Sequence, residues 1–144
     1  MSQHLLLRVG DERFALALDR VVEALDTPPL HEPPRRPHGL MGTLRHRGRT
    51  LSVWDGARAF RTARREPVST LLVLSDAGRH VALVVDDAED VAEIASDALR
   101  AAPPGTDDEG LLEGVVRDAN GLVSVVRTDV LVSRLIAWGG GKTE

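Results

Sequence analysis

Short apolar runs, each closed by a turn signal, recur along this 144-residue chain and constrain its fold more than any other feature. Leu5, Leu7 and Val9 alternate with Leu6 and Arg8. A Gly10-Asp11 turn then leads to Phe14, Leu16 and Leu18, alternating with Ala15 and Ala17. Period-two alternation on either side of a turn predicts a β-hairpin. The same logic predicts strands on both sides of Arg47-Gly48, a hairpin from Leu71–Leu74 to Val81–Val85 around Asp76-Ala77-Gly78, and a last hairpin across Asn120-Gly121. Asn-Gly supplies the positive backbone angles that a tight hairpin turn requires.

Between these runs the chain is punctuated rather than helical. Pro28, Pro29, Pro33, Pro34 and Pro37 exclude helix and central strand, so 27–37 is expected to be an extended surface connection. The polar run 61–67 reads as a linker and 103–110 as a loop. Asp55 is placed to cap a short helix through Ala57 and Phe60. Thr128 or Asp129 is expected to cap a longer one whose Leu131, Val132, Leu135 and Ile136 share a face, with Gly139-Gly140-Gly141 ending it. The two halves echo each other. Phe14-Ala15-Leu16 corresponds to Val81-Ala82-Leu83, and Gly42-Thr43-Leu44-Arg45 to Gly114-Val115-Val116-Arg117, at offsets of 67 and 72 residues. Two hairpins per half predict two similar small barrels rather than one long sheet.

Composition removes several kinds of chemistry. With no cysteine, disulfide scaffolds, zinc ribbons and thiol catalysis are excluded. The longest apolar stretches, such as Val81–Val85, fall far short of the roughly 18 residues a membrane helix needs. Charge interrupts the N-terminal run too early for a secretory signal, so the expected compartment is the cytoplasm. Four aromatics, Phe14, Trp54, Phe60 and Trp138, leave little to stack on bases or sugars. The net charge of -4 conceals a split: 35–65 carries nine arginines against Asp55, whereas 66–110 carries eleven acids against Arg79 and Arg100. Such a dipolar chain suits steering toward a protein partner better than uniform contact with nucleic acid.

No enzyme signature is found. Gly141-Lys142-Thr143 mimics the end of a phosphate loop, but Ile136 occupies the position of the first glycine. His4, His31, His38, His46 and His80 show no metal-ligand spacing. The acids Asp86, Asp87, Glu89 and Asp90 lack the pattern of a calcium loop and are expected at the solvated end of a buried strand. No Gly-x-Ser-x-Gly elbow is present.

Several segments, taken in order, resemble the CheW-like domain of bacterial chemotaxis adaptors. They are Leu7–Leu16 followed by Val21-Val22-Glu23; Pro37–Gly42 leading into Arg47-Gly48-Arg49 and Val53-Trp54-Asp55; Val84–Val91; and Leu112–Val115 with Asn120-Gly121. Together they span about Leu5 to Leu135. The resemblance implies an all-β fold of two SH3-like five-stranded β-barrel subdomains packed on a shared hydrophobic core, with short helices and a C-terminal helix. Within a single domain over 1–144, the first barrel is expected at 13–66 and the second at 67–127. The N-terminal strand and helix 128–138 are expected to pack across, followed by a tail at 139–144.

The function it implies is non-enzymatic and needs no cofactor or metal. Such a domain couples the cytoplasmic tip of a methyl-accepting chemoreceptor to the regulatory domain of a CheA-type histidine kinase, in arrays on the inner face of the membrane, without inserting into the bilayer. The partner-binding residues it suggests are Val21, Glu23, Arg45, Arg47 and Gly48. Arg45, His46, Ser52, Gly56 and Arg127 depart from the family pattern, so a divergent modulator keeping one partner interface is the alternative. A basic small-barrel nucleic-acid binder is a more distant one.

Overall fold

The computed structural model describes residues 2–32, 39–63, 70–105 and 110–139. In chain order the elements are β1 (Ser2–Val9), β2 (Glu12–Ala17), β3 (Val21–Asp26), β4 (Leu40–His46), β5 (Arg49–Asp55), α1 (Gly56–Ala59), β6 (Thr70–Asp76), β7 (Arg79–Val85), β8 (Asp87–Ile94), β9 (Leu112–Asp118), β10 (Gly121–Val126) and α2 (Thr128–Trp138). They form two five-stranded sheets, ordered β8-β1-β2-β10-β9 and β3-β6-β7-β5-β4. We call the first the split sheet, because it draws on both ends of the chain, and the second the contiguous sheet.

The expected hairpins are present, but the sheets do not divide the chain at 13–66 and 67–127. The contiguous sheet takes 21–85, and the split sheet takes 2–17 together with 87–126. Each half lends its leading hairpin, β1–β2 or β6–β7, to the three later strands of the other half. The physical reason is burial. Along β6, Leu72 and Leu74 enter the core between the sheets, while Leu71 and Val73 enter the interior of their own subdomain. In β2, Phe14 and Leu16 face the shared core and Ala15 faces inward. A hairpin apolar on both faces is stable only where both are covered.

The internal echo extends to register. β2 pairs in parallel with β10 at Ala15 and Val125, and β7 with β5 at the equivalent Ala82 and Val53. Bulges recur at equivalent places, at Val22 and Glu89 and again at Met41 and Glu113. Isolated bridges join His31 to Thr43 and Arg100 to Val115. These bridges explain the paired glycines of the echo. A Cβ on Gly42 would lie 2.7 Å from the His31 carbonyl oxygen, and one on Gly114 2.7 Å from that of Arg100.

Asp55 caps α1 as expected, its carboxylate accepting from the Ala57 amide at 3.0 Å. Three other expectations are corrected. The N-cap of α2 is Arg127, without a side-chain bond; Thr128 is already helical, and its buried hydroxyl has no partner. Asp86 is buried rather than solvated. It accepts from the Gly10 amide at 3.1 Å and lies 3.8 Å from the Arg8 guanidinium, whereas Asp87, Glu89 and Asp90 are exposed on β8. The last turn is Ala119-Asn120, where Asp118 accepts from the Asn120 amide at 2.8 Å and the single positive φ falls on Gly121. Pro33, Pro34, Pro37, the linker residues 64–67, the loop residues 106–109, Gly140, Gly141, Lys142 and Thr143 lie outside the described residues.

At one end of the split subdomain, Arg13 on β2 joins both edge strands. Its guanidinium donates to the two Asp118 oxygens at 2.7 and 2.9 Å, and to Glu89 at 3.2 Å. These bonds, and the Asn120 amide, hold the Asp118 carboxyl below its ordinary value, while Arg13 is pushed further up and stays charged.

Two predictions follow from this packing. Gly42→Ala and Gly114→Ala should each lower stability by about 1–3 kcal/mol, because backbone has to move, and urea denaturation measures it. A carboxyl depressed in the folded state contributes stability above its unfolded pKa and loses it as pH falls through the folded value. Asp118→Asn should therefore be destabilising at neutral pH, and its deficit against the parent should close below the usual carboxylate range, as denaturation midpoints across pH would show.

Candidate partner-binding surface

The suggested residues lie on β3 and on the β4–β5 hairpin, β3 and β4 being the two edges of the contiguous sheet. Curling of the sheet brings these edges together. Glu23 Oε1 accepts from His46 Nε2 at 2.9 Å and from Arg47 Nη2 at 3.1 Å. An ionised carboxylate only accepts, so the contact places a proton on His46 Nε2. This cluster and the His31–Thr43 bridge span the gap between the edges, closing the sheet as a barrel.

Local sequence sets the hairpin tip. Arg47 and Gly48 form a two-residue turn with φ of +51° and +81°, the left-handed pair that matches strand twist. A Cβ on Gly48 would meet nothing within 4 Å, so glycine serves the backbone angle there rather than space. The Arg47 side chain is 69% exposed although one of its nitrogens is held by Glu23. Arg45 is exposed on the same hairpin, with a long 3.4 Å contact to the Thr50 hydroxyl.

The five residues therefore do not form one cluster. Glu23 and Arg47 touch; Arg45 and Gly48 share the tip. Val21, paired with Leu74, is half-buried against the central core, and the bulge after it leaves Val22 as an exposed large hydrophobic residue on β3. Sequence reasoning weighed His46 as a metal ligand and as a departure from the family pattern, not as a partner of Glu23. The two-residue spacing of His46 from Leu44, which packs on the barrel interior, was the available sign that it faces Glu23.

Other departures have local explanations. Ser52 Oγ accepts from the indole nitrogen of Trp54, which is fully buried, at 2.9 Å. Gly56 lies flush on β7, where a Cβ would press against the Val84 carbonyl. Among the described residues no three His, Asp or Glu side chains come together as a metal site. Ser52→Ala strands the buried indole N–H and should lower stability by about 1–3 kcal/mol, measured by urea denaturation with Trp fluorescence.

Comparison with known proteins agrees with this architecture. A search of curated proteins returned no match. Among solved structures, the scaffolding protein TtCheW from Thermoanaerobacter tengcongensis superposes with a TM-score of 0.80 at 20% identity, over 90% of this chain and 86% of that one. The two five-stranded subdomains are thus of the SH3-like kind, with a C-terminal helix. The sequence profile of the CheW-like domain matches residues 3–135, and the chain belongs to that family.

Proposed function

We propose that this chain is a non-catalytic chemotaxis adaptor, coupling the cytoplasmic tip of a methyl-accepting chemoreceptor to a CheA-type histidine kinase. The observation that carries this role is the family match, which runs through both subdomains rather than one. The likeness to a scaffolding protein supports it. In the receptor-facing role, Arg47 presents a guanidinium fork beside Glu23 at an exposed turn, suited to a carboxylate or a backbone carbonyl. Gly48 supplies the turn beside it, while Val21 lies apart, against the central core. The adaptor sits beneath the receptors at the inner membrane face, and no described helix is long and apolar enough to cross a bilayer.

Co-sedimentation with receptor-bearing membranes, with and without the kinase, tests the role. The protein should pellet with receptors and bring the kinase down. Pelleting with receptors alone would mark a modulator with one interface, and pelleting with neither partner would sink the adaptor role. Arg47→Glu should reduce receptor pelleting far more than it lowers thermal stability; equal losses would assign Arg47 to holding its own barrel. Added salt should weaken pelleting, because exposed charges are screened beyond about 8–10 Å at physiological ionic strength.

A further inference from the structure

The β4–β5 tip carries more positive charge than its internal pairing consumes. Arg45, Arg47 and Arg49 are exposed within five residues, against Glu23 as the acid in contact with the tip. That carboxylate is already engaged, one oxygen receiving both His46 and Arg47. Among the described residues, Arg49 has no side-chain partner and Arg45 has only its long contact to Thr50. The register opposes His46 to Arg49 and Arg45 to Thr50, so Arg49 lies on the face of the hairpin from which His46 reaches Glu23, and Arg45 on the other. The apex between them is Arg47.

We propose that the tip binds a carboxylate-bearing protein segment through Arg45 and Arg49, which flank the exposed Arg47 fork, Glu23 being already engaged by His46 and Arg47. The proposal rests on the adaptor role and names the chemistry of the partner at that surface. Carboxylates fit better than nucleic acid. Guanidinium forks bind them in bidentate fashion, whereas Phe14, Trp54 and Phe60 are buried and the tip offers no aromatic ring for a base. The equivalent tip of the split barrel differs. There Arg117 matches Arg45, but Asp118, Ala119 and Gly121 stand at the positions of His46, Arg47 and Arg49. Arg117→Ser is therefore an internal control.

The test is an NMR titration of the full chain with a peptide of alternating Glu and Ala, beside its Gln counterpart. Expected are shifts centred on 44–51 and Glu23, absent with the Gln peptide and reduced by salt. Arg45→Ser/Arg49→Ser should weaken binding about fivefold, the loss of two exposed charge contacts, while Arg117→Ser leaves it unchanged. Shifts centred elsewhere, equal binding of the Gln peptide, or an unaffected double variant would overturn the proposal. So would preferential binding of a single-stranded oligonucleotide at the tip, or shifts at 44–51 that grow with protein concentration alone, which would assign the tip to the acidic β8 of a second copy. The peptide result does not depend on any receptor: failure of the parent chain to pellet with receptors would remove the adaptor role and leave the chemistry of the tip decided separately.

Discussion

Hairpins β1–β2 and β6–β7 are apolar on both faces, and the rest of the molecule is arranged to cover them. One face of each lines the interior of its own barrel, and the other meets the opposite hairpin and α2 in a common core containing Leu7, Phe14, Leu72, Leu83 and Leu131. Because burial scales with apolar area removed from water, this two-sided demand fixes where the remaining strands go. Three strands from the other half complete each barrel, and the parallel pairings β2–β10 and β5–β7 are the seams. The buried Asp86 that receives the Gly10 amide follows from drawing the two subdomains against one another, whereas Gly42 and Gly114 let a loop approach β4 or β9 within each barrel.

Much of this was legible in the sequence, for a reason that also sets the limit. Alternation and turn residues report on local pairing, so the antiparallel hairpins and the cap at Asp55 were within reach. The exchange of hairpins was not, because a parallel seam such as Phe14 against Ser124 joins residues with no local pattern in common. The same limit applies to Asp86. Its neighbours are solvated acids, and only the arrival of Gly10 and Arg8 from the far end of the chain makes it a buried acceptor. At the candidate surface, motif resemblance indicated Glu23 and Arg47, but it could not show that one carboxylate oxygen receives both Arg47 and His46. That contact depends on edge strands meeting across a closed barrel.

The internal echo also explains how one architecture presents two different surfaces. Glu23 and Asp90 are equivalent, as are His46 and Asp118. In the contiguous barrel the edges are held by an acid meeting two nitrogen donors, whereas in the split barrel a single arginine on β2 draws in acids from both edges. Barrel closure is conserved between the halves while the sign of the exposed charge is reversed. The two hairpin tips, alike in backbone, thus differ in charge, and one frame offers two distinct faces.

The exchanged hairpins carry a consequence for how such a molecule is held together. Half of this chain on its own would own a hairpin lacking cover and three strands lacking their neighbours, and two such halves could satisfy one another only by meeting. An intertwined pair of that kind is governed by mass action and comes apart on dilution. Joining both halves in one polypeptide replaces that encounter with an intramolecular one at fixed effective concentration. The completeness of each barrel is then independent of how much protein the cell contains.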